Sequence, residues 1–184
     1  MAATSSPAAL GWPAARFDLP GVDGRRHTLE GARGPNGLLV MFICNHCPYV
    51  RAVATKIARD AEALARLGIG SIAIMSNDAA AYPEDSFDNM KTFAAEHGFG
   101  FPYVIDESQD VARAYDAVCT PDFFGFDRDL ALAYHGRLDA SGRKNDPDAA
   151  RELFEAMSAV ARGVRAPLSQ TPSIGCSIKW RAPS

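Results

Sequence analysis

Two cysteines separated by two residues are the groups in this sequence best suited to chemistry. Cys44 and Cys47 lie in the run MFICNHCP, where an apolar stretch stops and a proline follows. A thiol becomes a nucleophile when its pKa falls, and the positive end of a helix dipole lowers the pKa of a nearby thiol. The spacing therefore predicts a Cys-x-x-Cys dithiol that exchanges disulfide bonds at the start of a helix.

The positions of the two thiols suggest different roles. We predict that Cys44 faces the helix N-terminus, has a lowered pKa and attacks the substrate disulfide. Cys47 is predicted one turn inside the helix, where it would resolve the mixed disulfide. His46 lies between them, and an imidazole beside the thiolate would stabilise the reduced form.

The elements around the dithiol are readable from hydrophobic periodicity. Residues 38–43 (LLVMFI) predict a strand buried on both faces, and apolar residues at helical spacing over 49–67 predict a helix that Pro48 opens and Gly68 ends. Further strands are predicted at 69–75 and 103–105, with a hairpin of 123–126 and 130–134; further helices are predicted at 87–97, 108–115 and 147–160, the last capped by Asp146.

This order of elements indicates an α/β protein with parallel strands first and an antiparallel edge after them. In such sheets, sites form at the carboxyl ends of the central strands, and the cysteines follow the predicted central strand directly.

Bulk properties exclude several classes of function. The chain has 184 residues, 47% of them hydrophobic and 22% charged, with a formal net charge of -3. This composition gives no reason to expect nucleic-acid or membrane partners. The N-terminal residues do not resemble a secretory signal and no segment reads as a membrane span, so we expect a cytoplasmic protein.

With the motif and its context in view, the sequence resembles the thioredoxin superfamily, and more closely its peroxiredoxin-like (AhpC/TSA, redoxin) members that carry a Cys-x-x-Cys motif. The resemblance rests on Cys44-Asn45-His46-Cys47-Pro48 after a buried strand, on Thr120-Pro121 before a late strand, and on the N-terminal segment FDLPGVDGRRHTLE. The C-terminal PSIGCSIKW is similar to the end of a bacterial peroxiredoxin-like subgroup.

The resemblance implies a thioredoxin-like fold, in which a central mixed β-sheet is flanked by helices. It also implies an N-terminal redoxin-type β-hairpin and a single domain over 1–184, with a core of about 16–162 and an extended tail over 163–184. Pro121 is the counterpart of the superfamily's cis-proline, which packs against the dithiol and shapes the substrate groove.

Three departures from the superfamily patterns affect the expected chemistry. Ile43 stands where thioredoxins place a tryptophan, and LLVMFI lacks the buried acid that assists their resolving step. The peroxidase pattern Pro-x-x-x-Thr-x-x-Cys would need Pro at 40 and Thr at 44, where this chain has Val40 and Cys44. The missing hydroxyl favours disulfide exchange over peroxide reduction.

Alternatives to a dithiol oxidoreductase remain open from the sequence. A peroxidase would oxidise Cys47 or Cys44 to a sulfenic acid and resolve it with another cysteine. A non-enzymatic redox sensor would use the dithiol to move the tail that carries Cys176. Zinc held by the dithiol with His46, Cys119 or Cys176 is a further, less favoured reading, because no second Cys-x-x-Cys exists.

We therefore predict a thiol–disulfide oxidoreductase with Cys44, Cys47, His46 and Pro121 in its site and with Cys119 and Cys176 as candidate additional redox thiols. No cofactor or metal is expected. The predicted partners are a disulfide-containing protein or a small thiol, together with a thiol reductant. The sequence does not decide the oligomeric state, and a dimer is compatible with it.

Overall fold

The computed structural model describes residues 2–6 and 8–182. The strands are β1 (Ala2–Thr4), β2 (Asp18–Pro20), β3 (Arg26–Thr28), β4 (Gly37–Phe42), β5 (Ile69–Met75), β6 (Tyr103–Ile105), β7 (Cys119–Thr120), β8 (Asp122–Phe126), β9 (Leu132–Gly136) and β10 (Ile174–Ser177). The helices are α1 (Leu29–Ala32), α2 (Pro48–Arg66), α3 (Phe87–Glu96), α4 (Asp110–Ala114) and α5 (Glu152–Ala161), with short 3₁₀ turns at Pro83–Asp85 and Gly142–Lys144.

The central sheet has five strands in the order β6-β5-β4-β8-β9. Strand β4 runs parallel to β5 and antiparallel to β8, and β8 pairs with β9 as a hairpin. All residues of β4 are buried, because apolar clusters cover the sheet on both faces. The predicted central strand, the parallel half and the antiparallel edge are confirmed.

Helix α2 positions the site, and local sequence explains both of its ends. Pro48 occupies the first turn, where its missing N–H leaves no hydrogen bond unmade. Val50, Val53, Ile57 and Leu64 bury one face of α2 against the sheet. Gly68 follows the helix with φ +77, a backbone region that favours glycine. Among the described helices, none combines the length and apolar character needed to cross a bilayer.

The N-terminal hairpin and the late proline also match the expectations from the resemblance. Strands β2 and β3 pair antiparallel as the predicted redoxin-type hairpin. The Thr120–Pro121 peptide bond is cis.

One prediction about the C-terminal third was wrong. Helix α5 starts at Glu152 rather than at 147, because the Asp146 carboxylate accepts from the backbone N–H of Asp148 at 2.9 Å and its carbonyl accepts from Lys56, which holds a turn there. Within the tail, residues Ile174–Ser177 form a strand. Its β10 strand lies between β1 and β7 in a second sheet of three strands.

Candidate active site

The two motif cysteines lie at the carboxyl end of β4, where the chain turns into α2. Cys47 is the N-cap residue of α2, and Cys44 lies in the turn before it. Both cysteines are fully buried. The predicted position at the end of a central strand, facing a helix N-terminus, is thus what the structure has.

Thr120 contacts both sulfurs from the neighbouring sheet. The Cys44 Sγ lies 3.3 Å from the Thr120 hydroxyl, and in its thiol form Cys47 donates to the Thr120 carbonyl at 3.1 Å. Pro121 follows directly and lines a cavity of about 30 Å³ with Tyr49, Ser173 and Ile174. Since Ser173 and Ile174 belong to the C-terminal segment, the tail covers part of the surface around Pro121.

The two thiols differ strongly in acidity. A hydrogen bond from the Cys44 thiol lowers the pKa of Cys47 to about 5, and the Cys176 side chain and the Val50 backbone N–H add to this effect. The same hydrogen bond, burial and the charge of Asp85 raise the pKa of Cys44 well above its ordinary value. At neutral pH the pair therefore holds one thiolate, on Cys47, and one thiol, on Cys44.

This arrangement is the opposite of the predicted acidities of the two thiols. Cys44 was expected to be the low-pKa thiol at the helix N-terminus, with Cys47 one turn inside. Because Pro48 is the first residue of α2, the N-cap position falls on the second cysteine instead. The free N–H groups of the first turn lie next to Cys47, so the helix favours the thiolate there.

A buried carboxylate holds the two residues between the cysteines. Asp85 is fully buried, and its Oδ1 accepts from the backbone N–H groups of Asn45 at 2.8 Å and of His46 at 3.3 Å. Its Oδ2 accepts from His46 Nδ1 at 2.7 Å and from Asn77 Nδ2 at 2.8 Å. Asp85 thus fixes both the backbone of the Cys-x-x-Cys turn and the orientation of the His46 ring.

The imidazole of His46 is also held from its face. Its ring stacks on Tyr82 with centroids 5.7 Å apart and planes 9° from parallel. The hydrogen bond from Nδ1 to Asp85 fixes one edge of the ring, and the stacking on Tyr82 fixes its plane. His46 is therefore held in one orientation rather than being a free loop residue.

Comparison with known proteins fits this geometry. The sequence model of the AhpC/TSA family matches residues 10–135. The chain belongs to the AhpC/TSA family. Membership supports a redox function for the chain. A search of the curated proteins found no match.

Solved structures similar to this AhpC/TSA protein agree on its fold. An uncharacterized conserved protein from Geobacillus kaustophilus is 45% identical with a TM-score of 0.95, covering 100% of this chain and 98% of its own. A hypothetical protein from Sinorhizobium meliloti 1021 is 42% identical with a TM-score of 0.93, covering 98% and 99%. The thioredoxin domain of a thiol-disulfide oxidoreductase from Bacteroides vulgatus is 17% identical with a TM-score of 0.59, covering 70% and 89%. The thioredoxin-like fold is confirmed.

The AhpC/TSA chain also brings together a set of atoms that could hold a metal ion. Donor atoms of Cys44, His46 and Asp85 lie within 4.8 Å of one another. This set shares Cys44 and His46 with the zinc reading from the sequence, but its third member is Asp85. Since the His46 and Asp85 side chains already satisfy each other at 2.7 Å, a dithiol site explains the arrangement without a cation.

The two remaining cysteines of this AhpC/TSA protein have different surroundings. Cys119 is buried, its sulfur points to the carbonyl oxygens of Pro121 and Ser173 at 3.8 Å and 4.0 Å, and burial raises its pKa. Cys176 is partly exposed and lies opposite Thr120 in the pairing of β10 with β7. Of the two, only Cys176 adds to the lowered pKa of Cys47.

Sequence reasoning missed Asp85 and the role of Thr120. Asp85 is 39 positions from His46, and the segment PEDS offers two adjacent acids with no periodicity to show which is buried. The acid that thioredoxins bury in the strand before their cysteines is absent from β4, and here a carboxylate comes from a loop instead. The sequence shows Thr120 only as the residue before Pro121, although both its hydroxyl and its carbonyl face the thiols.

We expect the acidity of Cys47 to be directly measurable. The ultraviolet absorbance of the thiolate in the reduced protein should titrate with a midpoint near 5, so that Cys47 is ionised throughout the neutral range. The Cys47→Ser protein should lose this titration, and a Cys119→Ser protein should keep it. A midpoint near the ordinary value of about 8.5 would show that the hydrogen bonds to Cys47 do not lower its pKa.

Proposed function

We propose that the protein is a thiol–disulfide oxidoreductase that cycles between a Cys44/Cys47 dithiol and a Cys44–Cys47 disulfide. The observation that carries the proposal is the pair of opposite pKa shifts in adjacent thiols, with the thiolate on the helix N-cap. A pair of this kind offers a nucleophile and a proton source at neutral pH. Expected reaction partners are a disulfide-containing protein or a small disulfide, and a thiol reductant.

The chemistry balances with the groups present. The Cys47 thiolate attacks one sulfur of the substrate disulfide and forms a mixed disulfide with it. The other substrate sulfur leaves as a thiolate and takes up a proton. Cys44 then attacks the Cys47 sulfur, which releases the second substrate thiol and closes Cys44–Cys47. Two thiols of the protein are oxidised and one substrate disulfide is reduced.

A redox titration tests the proposal. The protein is equilibrated in glutathione buffers over a range of potentials, its free thiols are alkylated, and its peptides are mapped by mass spectrometry. We expect a reversible Cys44–Cys47 disulfide with a single definable potential. If both thiols stay reduced at every potential, or the pair joins only to other cysteines, the oxidoreductase proposal is wrong.

A peroxidase is the second candidate, and one observation favours it. The acidic thiol is Cys47 rather than Cys44, and Cys47 is the residue that aligns with the cysteine of the peroxidase pattern. Against it, the position of the pattern's threonine is held by Cys44. Repeating the titration with one equivalent of hydrogen peroxide separates the two: rapid formation of a sulfenic acid on Cys47 would favour the peroxidase.

A further inference from the structure

The C-terminal segment places a third thiol beside the dithiol. In the pairing of β10 with β7, Cys176 lies opposite Thr120, the residue whose hydroxyl and carbonyl contact Cys44 and Cys47. Cys176 also packs against the buried cluster that contains both thiols. All four cysteines lie within the described residues, and Cys176 is the only one of them with partial exposure. The accessible thiol is therefore the one on the tail.

A glycine brings the tail this close. At Gly175, an added Cβ would lie 2.0 Å from the Thr120 carbonyl oxygen and 3.0 Å from the Pro121 nitrogen. No side chain fits at that distance, so only glycine lets β10 lie against the peptide bond beside the dithiol. The position of Cys176 thus depends on the glycine at 175, which permits the close packing of β10 against Thr120.

The tail is also anchored on both sides of Cys176. The Ser173 hydroxyl donates to the Gly136 carbonyl at 2.8 Å, and the Ile178 backbone N–H donates to Val118 at 3.0 Å. Farther along, the Lys179 backbone N–H donates to the Asn77 side chain at 2.9 Å. Asn77 in turn donates to Asp85, so the tail and the Cys-x-x-Cys turn share a hydrogen-bonded network.

Building on the proposed function, we infer that Cys176 is a third redox thiol, which exchanges with Cys47 and carries electrons from an external thiol reductant to the buried dithiol. Because Cys44 and Cys47 are fully buried, an external thiol meets the partly exposed Cys176 first. Cys176 also packs against the cluster that contains Cys47. The reductant belongs to the class of small thiols or protein dithiols.

The exchange balances in three steps. The Cys176 sulfur attacks Cys47 in the Cys44–Cys47 disulfide; the Cys47–Cys176 bond forms, and Cys44 leaves and takes the proton that Cys176 gives up. An external thiolate then attacks Cys176, and Cys47 leaves as a thiolate. A second external thiolate attacks the mixed disulfide, releasing reduced Cys176 and one external disulfide, so that two external thiols reduce one protein disulfide.

Acidity favours the second step, in which Cys47 is the leaving thiolate. A thiol of low pKa leaves faster in disulfide exchange, and the pKa of Cys47 is lowered to about 5. Burial and the hydrogen bond with Cys47 raise the pKa of Cys176 to about 11.

A trapping experiment tests the contact between Cys47 and Cys176. The Cys44→Ser protein is treated with oxidised glutathione, quenched in acid, alkylated and mapped by mass spectrometry. We expect an intramolecular Cys47–Cys176 disulfide, unchanged when Cys119→Ser is added. A glutathione mixed disulfide that persists on Cys47 or Cys176, with no bond between them, would overturn the inference.

A rate experiment tests the electron route in the complete site. Reduction of the oxidised protein by glutathione should slow by about tenfold or more in Cys176→Ser and in Gly175→Ala, but not in Cys119→Ser. An unchanged rate in Cys176→Ser would overturn the relay. The glutathione titration of the unaltered protein distinguishes the two proposals. If the Cys44–Cys47 disulfide forms there while a Cys47–Cys176 disulfide never does, the electron route through Cys176 is wrong and the oxidoreductase proposal stands.

Discussion

Replacing Cys47 with serine is expected to abolish disulfide exchange, with a loss of roughly a thousandfold or more in turnover. Cys47 is the thiol whose pKa falls to about 5, and its sulfur is hydrogen-bonded by the side chains of both Cys44 and Cys176. A serine hydroxyl at this position stays protonated at neutral pH and forms no disulfide. The measurement is the rate of reduction of a small disulfide, with glutathione as the final reductant.

Two further variants show whether the loss of turnover comes from removing the Cys47 thiol or from disrupting the fold. Cys119→Ser makes the same change at another buried cysteine, whose sulfur points to carbonyl oxygens, and it should keep turnover. Cys44→Ser keeps the acidic thiol and should still undergo a single round of oxidation, but no steady-state turnover. If Cys47→Ser retained turnover while Cys44→Ser lost it, Cys44 would be the nucleophile, as the sequence alone had suggested.

The parts of the fold that follow from local patterns were predictable. The run LLVMFI is apolar at every position, which leaves a strand buried on both faces as the natural outcome, and β4 is that strand. Pro48 and Gly68 mark the two ends of α2 because one lacks an N–H and the other tolerates positive φ. The motif between β4 and α2 then had to lie at the carboxyl edge of the sheet.

The parts of the site that depend on long-range contacts were not predictable in the same way. Asp85 reaches the Cys-x-x-Cys turn from a separate loop, and nothing in its neighbourhood distinguishes it from Glu84. Cys176 meets Thr120 only because β10 joins a second sheet with β7, and Gly175 fits there only because of the close approach. The sequence marked Cys176 as a candidate, but its location required the structure.

The acidic thiol is Cys47 and not the predicted Cys44, and the cause of this difference is local. The sequence already placed Pro48 at the first helical position, and the residue before it must be the N-cap. That reasoning points to Cys47 as the thiol next to the helix N-terminus. The expectation for Cys44 came from treating the first cysteine as the helix-facing one, and it failed because the capping geometry decides which sulfur meets the free N–H groups.

We expect Asp85→Asn to have the second-largest effect, and this effect falls mainly on stability. Asp85 is fully buried and its two oxygens accept four hydrogen bonds, from two backbone N–H groups and from the His46 and Asn77 side chains. An asparagine has one carbonyl oxygen, and its amide would face groups that also donate. Losing charge-assisted bonds of this kind should lower the free energy of unfolding by about 2–4 kcal/mol, measured by urea denaturation of the reduced protein.

Asp85→Asn should also change the acidity of Cys44, an effect that is not expected if Asp85 only stabilises the fold. The charge of Asp85 contributes to the high pKa of Cys44, after the hydrogen bond with Cys47 and burial. Removing that charge should lower the pKa of Cys44, measured by thiolate absorbance in a Cys119→Ser/Cys176→Ser background, where Cys44 and Cys47 are the only two thiols. Asp88→Asn is the matched control, because the Asp88 side chain is 90% exposed. Asp85 would be a structural residue alone if the Asn variant were less stable yet left the pKa of Cys44 unchanged in that background.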